Sequence, residues 1–377
     1  MSSGRKPSSC VGFEGFDTVD ATPTPGETRG SQVERNGRNP SVPRRDRGRG
    51  GGAEAIAYGA LDLGTNNCRL LVASPSSHGF RVIDAFSRIV RLGEGLGIHG
   101  RLSEDAMERT IEALRVCVNK LKWHKVARQR LVATEACRLS ANGSEFIQRV
   151  ADETGLVLEI IDRETEAHLA AAGAEPLLAA DAETAVVFDI GGGSTEVMWV
   201  KRNATGADVL AWVSMAAGVV TLSERHGGGR DVHPDRYADM RADVGKLLAP
   251  FVQQVHTMNE GTTGPDHLLG TSGTVTTIAG VHLGLRHYDR SRVDGCWLEG
   301  ADAERVTLEL RALSYEDRSR NGCIGRERAD LVLAGCAILD EIRAAFPNQR
   351  IRVADRGLRE GILAQMMRAD GHLGVRT

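Results

Sequence analysis

The chain has 377 residues, of which 41% are hydrophobic and 26% charged, with a formal net charge of −3. That length exceeds what one small core organises and suits two domains of ordinary size. The near-neutral balance excludes binding of nucleic acid by bulk basicity, so any anionic ligand must be held by local geometry.

Residues 1–54 are rich in Gly, Pro, Ser and Arg and end in "SVPRRDRGRGGGAE". They carry no periodicity able to bury a core, which predicts a disordered extension with Arg44, Arg45, Arg47 and Arg49 in solvent. From Ala55 three short apolar runs separated by Gly, Asn, Pro and Ser predict an antiparallel meander. Met107, Ile111, Leu114, Val118 and Leu121 then recur at helical spacing behind Ser103, an N-cap with Glu104 and Asp105 in the first turn. "QRLVATEAC" reads as a strand, "GSEFIQRVADETG" as a helix closed by Gly155, and "LVLEIID" as another strand.

A second round starts at "TAVVFDIGGGSTEVMWVKRN", again strand, glycine turn and strand, with "GADVLAWVSMA" as a third strand. Helices around "DRYADMRADVGKLLAPFVQQV" lead to "DHLLGTSGTVTTIAGVHLG", a strand, a turn and a helix. Helices over "SYEDRSRN" and "RADLVLAGCAILDEIRAAF" precede a last strand and helix in "IRVADRGLREGILAQMMRA". The repeated order predicts two βββαβα-type domains facing each other across a cleft. Leu63, Val72, Val187 and Val197 are expected in the cores.

Three turns at strand ends carry the chemistry. In "DIGGGSTE", Gly191, Gly192 and Gly193 lack the Cβ that would block an anion and permit positive φ, so their N–H groups can converge with the hydroxyls of Ser194 and Thr195. Asp189 and Glu196 would repel a bare phosphate and make sense with a divalent cation between them and the phosphate oxygens. "DLGTNNCR" offers Thr65, Asn66, Asn67 and Arg69, and "GTSGTVTT" offers Gly270, Thr271, Ser272, Gly273 and Thr274 at a helix N-terminus. Three anion cradles imply a polyanion or a nucleotide, and none of them fits a GxxxxGK[ST] loop. A plain hairpin with exposed carboxylates is the alternative for the glycine triplet taken alone.

The seven cysteines Cys10, Cys68, Cys117, Cys137, Cys296, Cys323 and Cys336 show no CxxC pair and mostly occupy apolar segments, which predicts buried thiols and no zinc site. No apolar run approaches the roughly 20 residues of a membrane span, and the N-terminus lacks a signal-peptide layout. A cytoplasmic protein without membrane or nucleic-acid partners is therefore expected.

Taken in order, "ALDLGTNNCRLLVA", "RLGEGL", "VATEACR", "ETEAHLA", "VVFDIGGGSTEVMWV", "GTSGTVTTIAG", "RADLVLAGCAIL" and "ADRGLREGIL" resemble the exopolyphosphatase/guanosine pentaphosphatase family from about Tyr58 to about Met367. The resemblance implies an α/β protein with the actin-like ATPase fold, two ribonuclease-H-like domains around a central cleft. Residues 55–163 would form domain I, completed by the C-terminal helix over 356–377, and residues 164–355 domain II.

The resemblance further implies magnesium-dependent hydrolysis of a terminal phosphate, with Glu166 in "RETEAHL" as the general base that activates water. Thr165 and His168 depart from the family's usual Glu and Arg beside it. Asp189 and Glu196 match the metal-linked carboxylates, the Gly191 to Ser194 turn the second phosphate loop, and Asp62, Thr65, Asn66, Asn67 and Arg69 the first. Arg138 in "TEACR" matches an arginine able to hold substrate phosphate, and Asp355 is a candidate for orienting water or metal or for capping the last helix. The expected substrate is inorganic polyphosphate, with guanosine pentaphosphate as the close alternative. An actin-like kinase and a non-catalytic polyphosphate or alarmone sensor are more distant alternatives. Homodimerisation is an expectation from the family alone.

Overall fold

The computed structural model describes residues 56–373 apart from 78, 205, 260–263, 348 and 349. The predicted N-terminal extension, its arginines and Cys10 lie outside the described residues. Eleven strands occur among the described residues: β1 (Tyr58–Leu63), β2 (Asn67–Ser76), β3 (Gly79–Ile89), β4 (Arg128–Ala133), β5 (Glu159–Ile160), β6 (Thr184–Ile190), β7 (Thr195–Asn203), β8 (Gly206–Met215), β9 (His267–Thr271), β10 (Trp297–Glu299) and β11 (Arg350–Ala354). They form two sheets, ordered β3-β2-β1-β4-β5 and β10-β11-β9-β6-β7-β8. In each sheet the first three strands are an antiparallel meander, and two later strands, β4 and β5 or β9 and β11, run parallel to the first; β10 joins β11 antiparallel at the edge of the second sheet. The repeat read from the sequence is thus a repeat of topology.

The predicted meander, the helix Glu104–Trp123 capped by Ser103 and the helix Gly143–Thr154 closed by Gly155 at φ 74° all form. Leu63, Val72, Val187 and Val197 are buried. Two strand expectations are shortened. "QRLVATEAC" leaves the sheet at Ala133, where Thr134 N–H donates to the Leu63 carbonyl, and Glu135–Leu139 becomes a helical turn. Of "LVLEIID" only Glu159 and Ile160 pair, because β4 offers just Val132 and Ala133 beside them. The three-residue β10 and the helix Gly300–Ala312 behind it went unread, since three residues show no alternation.

Two helices join the halves. The helix Arg163–Ala174 lays Ala167, Ala170 and Ala174 on Ala185, Val187 and Met198 of the second sheet. The final helix, Leu358–Ala369, presses Leu358, Ile362, Leu363 and Met367 onto Tyr58, Ala60 and Leu71 of the first. Each fully buried Leu or Ile there stabilises by about 1.5–3 kcal/mol relative to exposure. The two helices pack backbone to backbone: a Cβ on Gly173 would fall within the Gly357 carbonyl, and one on Gly361 within the Leu169 carbonyl. Small residues on both helices make that approach sterically feasible, and it fixes how Glu166 on one helix faces the strand ends.

Candidate active site

The two hairpins β1–β2 and β6–β7 end in the same construction. Asp62 sits directly opposite Arg69, and Asp189 directly opposite Glu196. Gly64 N–H donates to the Asn67 carbonyl at 2.9 Å, and Gly191 N–H to the Ser194 carbonyl at 3.0 Å. The Gly191 N–H therefore closes its own turn, which leaves those of Gly192 and Gly193 without an acceptor among the described residues. None of the three glycines adopts positive φ, contrary to the sequence argument. They are required instead for close approach, since a Cβ on Gly192 would lie 3.0 Å from the Asn66 backbone nitrogen and one on Gly193 would overlap Thr65 Oγ1.

These turns meet in one cavity at the C-terminal ends of β1, β4, β6, β9 and β11, where open parallel sheets place ligands. Asp62, Thr65, Asn66, Asn67, Arg69, Glu166, Asp189, Gly191, Gly192, Gly193, Ser194, Glu196, Thr271, Ser272, Gly273, Thr274 and Asp355 all line it. Three expected residues do not: Thr195, whose Oγ1 donates to the Ala217 carbonyl at 2.6 Å, Gly270 and Arg138. Gly270 lies beneath the ring of Phe188, 2.6 Å from where its Cβ would be, so this glycine makes room for core packing. Arg138 turns away into a network of carboxylates behind the wall. Sequence reasoning passed over several lining groups, among them Glu135, Arg328 and Arg359. All three stand in the motifs "VATEACR", "RERADLV" and "GLREG", but a charged residue beside a helix start carries no sign in sequence that it faces inward.

Thr65 Oγ1, Asn66 Oδ1, Asn67 Oδ1 and Thr271 Oγ1 are buried without hydrogen-bond partners. Leaving such an atom unsatisfied costs about 1–3 kcal/mol, so four on the expected phosphate loops mark a place that a polar ligand fills. Ser272, the first residue of the helix Ser272–His282, holds φ at 76°, a conformation costing on the order of 1–3 kcal/mol for a residue with a Cβ. Its strain accompanies a helix N-terminus turned to the cavity, which favours anions.

Burial raises the pKa of Asp62 and of Asp189, and burial together with Glu196 raises that of Glu166 well above the usual carboxylate range. Glu196 is pushed up to about 7 by burial and by Asp189 opposite it, although Ser214 Oγ donates to Glu196 Oε1 at 2.8 Å. Like charges facing each other across a hairpin are destabilising unless a cation lies between them. The donor set is all oxygen, as a hard divalent cation requires, with neither imidazole nor thiol among the cavity-lining residues. No group of three or more His, Cys, Asp or Glu among the described residues can enclose a metal alone. Magnesium is satisfied by one or two carboxylates, several waters and phosphate oxygens, so Asp189 and Glu196 fit it as partial ligands.

A linkage prediction follows from Glu196. Its folded-state pKa of about 7 exceeds the ordinary glutamate value of 4.5, so its stabilising contribution is full below 4.5 and is lost as pH rises through about 7. Calorimetry of the metal-free chain should show stability falling over that window, by on the order of 3 kcal/mol from this group. Glu196→Gln should flatten the fall, and magnesium should raise the melting temperature more at about pH 8 than at about pH 6.

Asp355 accepts from Tyr288 Oη at 2.8 Å and sits 3.4 Å from Arg290 Nε. It does not cap the final helix; Glu360 Oε2 takes that role by accepting from Gly357 N–H at 3.0 Å. His168 is exposed, with Nδ1 2.8 Å from the Glu164 carbonyl, and stands outside the cavity. A second cavity of about 730 Å³ adjoins the first, sharing Arg69, Ser272, Gly273, Arg328, Asp355 and Arg359 and adding Arg88, Arg290 and Arg326.

A family model described as the Ppx/GppA phosphatase family matches residues 71–370. The chain belongs to the Ppx/GppA phosphatase family. The crystal structure of the Aquifex aeolicus family member superposes with a TM-score of 0.70 at 29% identity, over 84% of this chain and 99% of that one. An exopolyphosphatase from Cytophaga hutchinsonii superposes with a TM-score of 0.76 at 24% identity, over 85% of this chain and 100% of that one. An exopolyphosphatase-like protein gives 0.75 at 26% identity, over 84% of this chain and 99% of that one. The fold is thus the actin-like ATPase fold, and the activity of the family is that of a phosphatase.

Proposed function

We propose that this phosphatase is a magnesium-dependent exopolyphosphatase, releasing orthophosphate from the end of inorganic polyphosphate. The observation that carries the reading is the second cavity. Arg69, Arg88, Arg326, Arg328 and Arg359 line the two adjoining cavities and form no direct salt bridge among the described residues, the carboxylates nearest them being Asp62 opposite Arg69 and Glu327 and Asp355 of the second cavity. Burial and the nearby Arg69 lower the pKa values of Arg328 and Arg359, so crowding these guanidinium groups is costly without an anion. A linear polyanion extending from the first cavity into the second supplies one charge after another.

In this reading the N–H groups of Gly192 and Gly193, the Thr65, Ser194 and Thr271 hydroxyls and the side chains of Asn66 and Asn67 hold the terminal phosphate. Asp189 and Glu196 would hold magnesium, which when bound neutralises phosphate charge. Glu166 takes a proton from water as the water oxygen bonds to the terminal phosphorus. The bond from phosphorus to the bridging oxygen breaks, and the shortened chain leaves with the electron pair, its charge met by Arg69, Arg328 and Arg359. The six described cysteines are free thiols, which supports a cytoplasmic setting.

Arg88 and Arg326 line only the second cavity and provide the test. Replacing both with Ala should raise KM for polyphosphate of several tens of residues about tenfold with kcat nearly unchanged, the signature of lost uniform binding. KM for tripolyphosphate should move less than about twofold. Faster turnover of guanosine pentaphosphate than of polyphosphate by the unaltered chain would favour the alarmone substrate instead.

A further inference from the structure

Glu135 is a carboxylate with 2% exposure, placed just beyond β4 behind the glycine turn. A Cβ on Gly193 would stand 3.1 Å from its Cγ. A charge so deep persists only when paired, and Glu135 has two partners. Arg163 Nη2 donates to its Oε1 at 2.9 Å, while Arg138 donates to its Oε2 from Nε at 3.1 Å and also from Nη2.

Arg138 has two other acceptors. Nη1 donates to the Ile161 carbonyl at 2.6 Å, and Nη2 donates to Glu166 Oε2 at 3.0 Å. Glu135 and Arg138 lie three residues apart on one helical turn, and Arg163 and Glu166 three apart on another. The two turns are therefore cross-linked by Glu135 with Arg163 and by Arg138 with Glu166. An arginine free to rotate grips a carboxylate with two parallel N–H groups. Here Glu135 and Ile161 occupy the guanidinium from both sides, so a single nitrogen reaches Glu166. Glu166 Oε1 has no partner among the described residues, and Glu166 lines the cavity whereas Arg138 does not.

We propose that Glu135 is a positioning residue, holding Arg138 to one oxygen of Glu166 so that the other stays free to take the proton of the attacking water. The proposal rests on Glu166 being the base. Without the Glu135 carboxylate, Arg138 closes on both oxygens of Glu166 and withdraws them from water. Arg138 does not reach the cavity, so the loss falls on kcat and leaves substrate binding in place.

A double-mutant cycle on the full chain, read as steady-state phosphate release from polyphosphate of defined length with magnesium, tests this. Glu135→Gln should lower kcat about tenfold to a hundredfold, with KM within about threefold. Glu135→Asp, which keeps the carboxylate, should recover most of that loss. In an Arg138→Met background, Glu135→Gln should cost almost nothing further. If Glu135→Gln fails to fold, Arg163→Met, which removes only the outer partner, stands in for it. It should lower kcat in the unaltered background and lose its effect when Arg138 is Met. A wild-type kcat in Glu135→Gln overturns the proposal, as does an effect of either replacement that persists undiminished without Arg138. Failure of the base assignment is read separately, from activity retained by Glu166→Gln.

Discussion

Glu166→Gln lowers kcat for phosphate release by about a thousandfold, within the range by which a positioned general base accelerates proton transfer, while KM changes by less than about threefold. The amide keeps the shape of the side chain and its hydrogen bond from Arg138, so the cavity and its donors persist. Stability should hardly move. Removing a buried carboxylate whose pKa is raised relieves a cost at neutral pH, and losing the charge opposite Arg138 offsets that relief. Parallel measurement of kcat and melting temperature checks both halves. A variant with most of its activity would mean that another group, such as Glu196, whose charge acts on Glu166, takes the proton.

The second large effect is structural. Gly361→Ala, and independently Gly173→Ala, should destabilise by about 3 kcal/mol, the upper part of the range for overpacking. The new methyl on residue 361 would meet the Leu169 carbonyl and lie 3.2 Å from the Gly173 nitrogen, and a backbone cannot rotate aside as a side chain does. The helices must separate, shifting Glu166 on one and Arg359 on the other relative to the strand ends. Thermal unfolding should fall by roughly 6–12 °C, and kcat should fall with it even in the folded fraction. Gly371→Ala, where nothing lies within 4 Å of the new methyl, serves as the control for glycine replacement, with allowance for its positive φ of 73°.

Most of the cavity lining was legible because its elements repeat. The seven-residue spacing from Asp62 to Arg69 recurs from Asp189 to Glu196, and both segments lie between apolar strand runs. Conformation was less legible than location: Gly192 and Gly193 are needed for contact with Thr65 and Asn66 across the cleft, a constraint no local pattern carries. Arg138 illustrates the same limit from the other side. In sequence it is a cation near a phosphate loop, and only the return of the chain at Glu166 shows which anions it faces. Glu135 was hidden because a helical turn replaced the expected strand there, reversing which side chains point inward. Arg328 and Arg359 come from the last fifth of the chain, Arg359 carried in by the final helix on the first sheet and Arg328 by the segment before the helix Val332–Ala345 on the core of the second.

The measurement that bears most directly on the account is hydrolysis of polyphosphate in 18O-labelled water with magnesium, followed by mass analysis of the orthophosphate released. Attack by water at the terminal phosphorus predicts a single labelled oxygen in each phosphate set free, and no release by Glu166→Gln above about a thousandth of the rate of the unaltered chain. Phosphate appearing without label, or phosphate passing to an added acceptor in place of water, would contradict it.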